Sequence, residues 1–233
     1  MPHAVDHTAI LDRLAAVRGG TRNVFDRLDP ERTAHLIVDM QNGFMEQGAP
    51  VEVPMAREIV DEVNRLSAAV RATGGRNYFL RYTTPHGEVP AWPIMWSRLG
   101  PEGAAVHQDA FTPGAHFWQM WPAIEVDEGD TVLDKHRFSA FTPGTSELPA
   151  LLKADGIDTV IISGTLTNCC CESTARDAMQ HNYRVIMAAD ANAALSDEEH
   201  AATLHILGLV FADLRSVAEL EEMLAAAATA QAA

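Results

Sequence analysis

Apolar and polar positions along the chain fall into two alternating registers. Residues 35–39 (HLIVD) form a short apolar run closed by an acid, and the following QNGF, with Gly48 and Pro50 nearby, signals a loop. This predicts a buried strand with Asp39 at its carboxyl end. From Ala56 to Thr73 the apolar residues Ile59, Val63, Leu66 and Val70 recur at helical spacing, and Gly74-Gly75 stop the helix. NYFLRYT at 77–83, TVLDK at 131–135, DTVIISG at 158–164 and RVIMAAD at 184–190 read as further strands. Helices are predicted over 145–154, 170–181 and 197–211, with Leu204, Leu207 and Phe211 marking one face of the last.

Strands that alternate with helices predict an α/β fold of three layers, α/β/α, around a mostly parallel, doubly wound sheet. The continuous apolar character of the strands fits burial on both faces. The chain of 233 residues is read as a single domain with an N-terminal arm over about 1–32 and an insertion over about 85–130. That insertion shows little periodicity and holds all four tryptophans, Trp92, Trp96, Trp118 and Trp121, as a lid, a binding loop or an interface would. The ending AAAATAQAA is a low-complexity tail on a helix.

Charge narrows the function. Lys plus Arg number 17 against 32 Asp plus Glu, a net charge of −15, and no basic patch stands out, which argues against nucleic acid as a partner. No apolar run approaches the roughly 18 to 20 residues of a membrane span, and MPHAVDHTAI lacks the pattern of a secretory signal, so the expectation is a cytoplasmic protein without membrane association. The only cysteines, Cys169, Cys170 and Cys171, are adjacent, and neighbours seldom bridge one another.

In an open parallel sheet, ligands bind at the carboxyl ends of the strands. Three reactive groups fall there: Asp39, Lys135 at the end of TVLDK, and the cysteines after IISGTLTN. An acid, a base and a thiol brought to one edge make a nucleophilic site. Each alone has a structural explanation, as a turn cap, a solvated lysine or a buried small residue.

The segments LIVDMQNGF (36–44), DKHRFSAF (134–141) and SGTLTNCCCESTARDA (163–178) resemble, in order and spacing, the signature segments of the isochorismatase-like cysteine hydrolases, over about residues 33–215. That superfamily includes nicotinamidases, carbamoylsarcosine and ureidoacrylate amidohydrolases, and isochorismatase. The resemblance places Gly164, Thr167, Asn168, Cys170, Glu172, Ser173, Thr174, Ala175, Arg176, Asp177 and Ala178 on the family pattern, making Cys170 the nucleophile. Cys169 and Cys171 fall where relatives carry an apolar residue and are expected to pack beneath it. The resemblance further implies that Asp39 serves as general base and then acid, that Lys135 keeps Asp39 ionised, that the Thr165–Leu166 peptide is cis, and that the N–H groups of Leu166 and Cys170 form the oxyanion hole. A cysteine in the first turn of a helix beside a lysine is expected to have a depressed pKa.

The expected function is cofactor-independent hydrolysis of a C–N bond in a small amide, carbamoyl or ureido substrate through a thioester on Cys170. A vinyl ether hydrolase of the isochorismatase type and a non-catalytic thiol sensor or binding protein remain as alternatives. The nicotinamidase Asp-x-His metal motif is absent after the second strand, where the chain reads RYTTPHGE, and His86, His107, His116 and His136 lack compact ligand spacing, so no metal is expected. Phe44, Tyr82, Trp92, Trp96 and Phe138, with Phe138 and Phe141 as either wall or core, are candidates for the substrate pocket, and Arg81, His136 or Arg137 for holding a carboxylate. As relatives often do, the chain is expected to form a homodimer or homotetramer around a small-molecule substrate.

Overall fold

The computed structural model describes residues 3–231. In chain order the elements are α1 (His7–Val17), β1 (Thr33–Val38), α2 (Asn42–Met45), α3 (Val60–Ala72), β2 (Arg76–Tyr82), α4 (Pro93–Ala110), β3 (Thr131–Lys135), α5 (Leu148–Ala154), β4 (Thr159–Thr165), α6 (Glu172–Gln180), β5 (Arg184–Ala193), α7 (Asp197–Val210), β6 (Asp213–Arg215) and α8 (Val217–Gln231). The six strands form one sheet in the order β3-β2-β1-β4-β5-β6, and every pairing is parallel.

Successive residues of β1 point to opposite faces, as strand geometry dictates. Leu36 and Val38 join a core with Leu80, Val160 and Ile162 that is capped by Leu148 of α5, Ala175 of α6 and Leu204 of α7. Ile37 joins the opposite core with Phe79, Ile161 and Ile186, closed by Val63 and Leu66 of α3 and Leu220 and Leu224 of α8. Helices therefore cover both faces, completing the three α/β/α layers. The chain leaves β1 outward through β2 and β3, then returns to lay β4 on the other side of β1. This reversal puts a crevice between the ends of β1 and β4.

The structure departs from the periodicity at instructive places. The insertion contains an 18-residue helix, α4, hidden in the sequence because Gly100 (φ +71°) and Pro101 kink it midway. Residues 7–17 of the arm form α1, capped by the Asp6 carboxylate, which accepts from the Ala9 N–H. β5 runs past Asp190 to Ala193 through a register shift against β4, where the Asn192 amide donates to the Ile162 and Ala188 carbonyls. β6 is too short to leave a pattern.

Gly164 shows how closely the site is built. Its φ is +110°, and a Cβ there would lie 2.2 Å from the Val38 carbonyl oxygen. Gly164→Ala is expected to cost about 3 kcal/mol or more, from left-handed strain plus a backbone collision that no rotamer relieves. Denaturant unfolding measures this; a loss under about 1 kcal/mol would mean that the strand ends adjust freely.

Candidate active site

β1 ends in a sharp turn because Asp39 adopts a left-handed conformation, φ +55°, which aspartate tolerates better than most residues. Its N–H donates to the Leu80 carbonyl and its own carbonyl accepts from the Gln41 N–H at 2.8 Å. The carboxylate is turned into the crevice and is completely buried. Lys135, at the end of β3, lies two strands away and opposite Tyr82 of β2 in register. Its side chain crosses the end of β2, passing 5.4 Å from the Tyr82 ring, to place Nζ 2.8 Å from Asp39 Oδ2. It also donates to the Arg137 carbonyl at 3.2 Å.

The third group comes from the loop after β4. The Thr165–Leu166 peptide bond is cis. Thr167–Cys171 then winds as one wide π-helical turn, with the Cys171 N–H reaching back to the Leu166 carbonyl at 3.1 Å, before α6 begins at Glu172. Cys170 thus precedes the regular helix predicted from residue 170. Its thiol is buried, with Asp39, Lys135 and Cys169 acting on it electrostatically.

Burial of this trio sets its charges. Burial pushes the Asp39 carboxyl up, opposed by the Lys135 ammonium and the Cys170 thiol. Burial also works against the Lys135 charge, but the facing carboxylate outweighs it and holds the ammonium above its ordinary range. The depressed thiol expected of Cys170 is not found. The contact with Cys169, burial and the Asp39 charge push it well up, and Lys135 only partly compensates. The resting site is therefore an ion pair facing a protonated thiol.

Cys169 packs against the core beside the nucleophile. It is half-buried, whereas Cys171 is fully buried with its thiol 3.9 Å from the Ser163 carbonyl.

Of the aromatic residues, Phe44, Tyr82 and Trp92 gather with Phe111 and Phe117 into one cluster over the ends of β1 and β2. Trp92 packs edge-on against Phe138, with ring centroids 4.8 Å apart, and Trp96 stands 6.5 Å from Trp92. Phe141 faces away, in the core beside His181 and Tyr183. Trp118 stacks under the Arg81 guanidinium and donates to Thr83, so it serves the scaffold. The Tyr82 hydroxyl is buried, without a hydrogen-bond partner among the described residues, and near Lys135, Cys170, Asp39 and Arg137.

The three cations proposed for a carboxylate separate clearly. Arg81 is paired with Asp134 at 2.8 Å, and His136 contacts the Thr83 carbonyl through Nδ1 at 2.8 Å. Arg137 binds only backbone carbonyls, those of His136, Pro90 and Ala91, while lying 4.8 Å from the Trp92 ring centre. Among the described residues no carboxylate pairs with it. Nor do three or more His, Cys, Asp or Glu among them gather where they could hold a metal ion.

Gln41 lies within the LIVDMQNGF segment, which by itself assigns it no role of its own. Fully buried, it donates to the Tyr82 and Trp118 carbonyls and accepts from the Tyr82 N–H, tying the ends of β1 and β2 to the insertion. The only signal was a polar residue following a strand-end acid.

Comparison with known proteins follows the same lines. The isochorismatase domain model matches residues 33–219. A ureidoacrylate amidohydrolase of Methylorubrum extorquens is 31% identical over 179 residues, covering 70% of each chain. A maleamate amidohydrolase of Pseudomonas putida is 29% identical over 185 residues, 78% of this chain and 82% of that one. A cysteine hydrolase structure from Pseudomonas syringae superposes with a TM-score of 0.79 at 27% identity, covering 88% of this chain and 98% of the other. The chain belongs to the isochorismatase family, and it is a hydrolase.

Proposed function

We propose that the protein hydrolyses a C–N bond of a small amide, carbamoyl or ureido compound that bears a carboxylate, using Cys170 as nucleophile. The observation that carries this reading is the buried Asp39–Lys135 ion pair set against the Cys170 thiol. Because that thiol is held protonated, attack requires a base, and Asp39, kept charged by Lys135, is the carboxylate that acts on it.

In the first half-reaction Asp39 takes the thiol proton as sulfur bonds to the substrate carbonyl carbon. The resulting oxyanion is received by the N–H groups of Leu166 and Cys170, where each donor is worth on the order of 3 kcal/mol. The tetrahedral adduct collapses with C–N cleavage, and Asp39 returns the proton to the departing nitrogen. A water then gives Asp39 its proton as its oxygen attacks the thioester, releasing the acid and restoring the thiol. Only water is consumed.

The names of two relatives, a ureidoacrylate and a maleamate amidohydrolase, denote substrates that carry a carboxylate. Arg137, which has no acidic partner among the described residues and lies near the orphaned Tyr82 hydroxyl, is the group suited to receive it. Vinyl ether cleavage, by contrast, has no use for a thiol against the base.

Ammonia release across ureido acids, acid amides, carbamoyl amino acids and uncharged amides of matched size tests the reading. Turnover confined to carboxylate-bearing members is expected; turnover of uncharged amides alone would overturn the substrate class. Arg137→Lys is expected to raise KM about tenfold for the carboxylate substrate and leave an uncharged amide within twofold, since a charged bidentate contact is worth roughly 1.5 to 3 kcal/mol. Equal effects on both would remove Arg137 from that role.

A further inference from the structure

The wide turn that carries Cys170 begins at Thr167, which is fully buried and hydrogen-bonded through Oγ1 to His200 Nδ1 at 2.9 Å. His200 belongs to α7 and is itself buried, with the Ala189 backbone of β5 acting on its ring. With its proton on the nitrogen away from Thr167, the imidazole accepts at Nδ1 from the Thr167 hydroxyl. Burial, with His3 and His7 nearby, lowers the His200 pKa to about 3, so the imidazole is neutral at neutral pH.

The other face of the His200 ring is covered from outside the family domain. His3 stacks on it with centroids 4.2 Å apart and planes 13° from parallel. His3 is also buried: its Nε2 accepts from the Ala194 N–H at 3.0 Å, which leaves Nδ1–H to donate to Asp197 at 2.8 Å. Asp197 opens α7, the helix that carries His200, and Ala194 directly follows β5. His3 therefore joins the end of β5 to the start of α7 and fixes the imidazole that holds Thr167. The family domain match starts at residue 33, so this plate is an addition of the N-terminal arm.

We infer that Thr167, His200 and His3 form a positioning relay for the nucleophile, through which the N-terminal arm sets the placement of the Cys170 turn. The inference rests on the thiol mechanism proposed above. A π-helical turn has poorer internal hydrogen bonding than an α-helix and depends on outside contacts for its shape. The relay supplies one at the first residue of the turn, three residues before the sulfur. Displacement of a reacting group by about 1 Å can cost as much as a hundredfold in rate, so the loss is felt in kcat and not in substrate affinity.

The test compares Thr167→Val, Thr167→Ser, His200→Phe, His200→Asn and His3→Ala in the full chain. Two readouts are taken: steady-state kinetics on the best substrate, and the rate at which iodoacetamide modifies Cys170, located by peptide mass. Thr167→Val and His200→Phe are each expected to lower kcat about tenfold with KM within about twofold, while Thr167→Ser and His200→Asn, which keep a donor or an acceptor, retain most of it. The Thr167→Val/His200→Phe double variant should be no slower than either single, and His3→Ala should lower kcat about threefold or more. Cys170 alkylation should change in the same variants, and this needs no substrate, so it remains informative if the proposed hydrolysis is wrong. Unchanged kcat and unchanged alkylation in Thr167→Val and His200→Phe would overturn the relay. So would equal losses in Thr167→Val and Thr167→Ser, or a lowered melting temperature with kcat per folded molecule intact.

Discussion

Cys170→Ala is expected to reduce turnover by at least about ten-thousandfold, equivalent to some 5 to 6 kcal/mol of transition-state stabilisation, while unfolding cooperatively like the parent protein. The size follows from the chemistry: with no sulfur there is no thioester, and what remains is a bound substrate beside a carboxylate that would have to activate water directly. The fold should survive because the side chain is small and the substitution removes only its sulfur. Cys170→Ser separates nucleophile from shape. Its hydroxyl fits the same turn, but Asp39 must now deprotonate a group of far higher pKa, so most of the activity should still be lost. Cys169→Ala supplies the contrast. Cys169 helps hold the Cys170 proton in place, so its removal should lower the Cys170 pKa and alter the pH dependence of alkylation without abolishing turnover. Ammonia release measures the first two variants and iodoacetamide kinetics the third. Substantial activity in Cys170→Ala would remove the thiol from the mechanism.

How much of this was legible in the sequence depends on the range of the interactions concerned. The strands of the sheet centre were visible because burial on both faces makes them continuously apolar, as in HLIV and TVIIS. The positions of Asp39 and Lys135 at strand ends followed from those runs, and the structure brings the two into contact across the end of β2. The distance between them could not be read from the sequence, because Lys135 reaches Asp39 only through sheet order, and order is a property of long-range pairing. Helix α4 escaped because Gly100-Pro101 cut its periodicity in two. The charge state of Cys170 was misjudged for a different reason. Proximity to a helix start and a lysine favour a thiolate, but the orientation of the Cys169 thiol toward Cys170, followed by burial and the Asp39 carboxylate, raises the pKa, and these arise only when the turn and the layers close. Gln41 and His200 act through single buried hydrogen bonds, and those leave no periodic trace.

Lys135→Met is the second large expectation, because it leaves Asp39 as a buried carboxylate without its counter-ion. Breaking a buried pair from one side costs about 3 to 5 kcal/mol. Its pH dependence follows from linkage. In the variant the folded-state pKa of Asp39, already raised by burial, rises further for want of the ammonium. A group whose folded pKa lies above its unfolded one gives stability that is complete below the unfolded value and lost as pH climbs through the folded value. The variant should therefore be most stable at mildly acidic pH and weaken toward and beyond neutrality, by up to about 1.4 kcal/mol per pH unit over the titration. Activity at neutral pH should fall about a thousandfold, since a protonated Asp39 cannot accept the thiol proton. Asp39→Asn should relieve the variant, as asparagine carries no charge to bury and tolerates the same left-handed turn. The Asp39→Asn/Lys135→Met protein should then be more stable than Lys135→Met at alkaline pH, with a flatter stability profile and no activity. Denaturant unfolding from pH 5 to 9, with ammonia release on the same samples, tests both parts. A pH-independent loss of stability in Lys135→Met that Asp39→Asn does not relieve would show that Lys135 contributes packing and not charge.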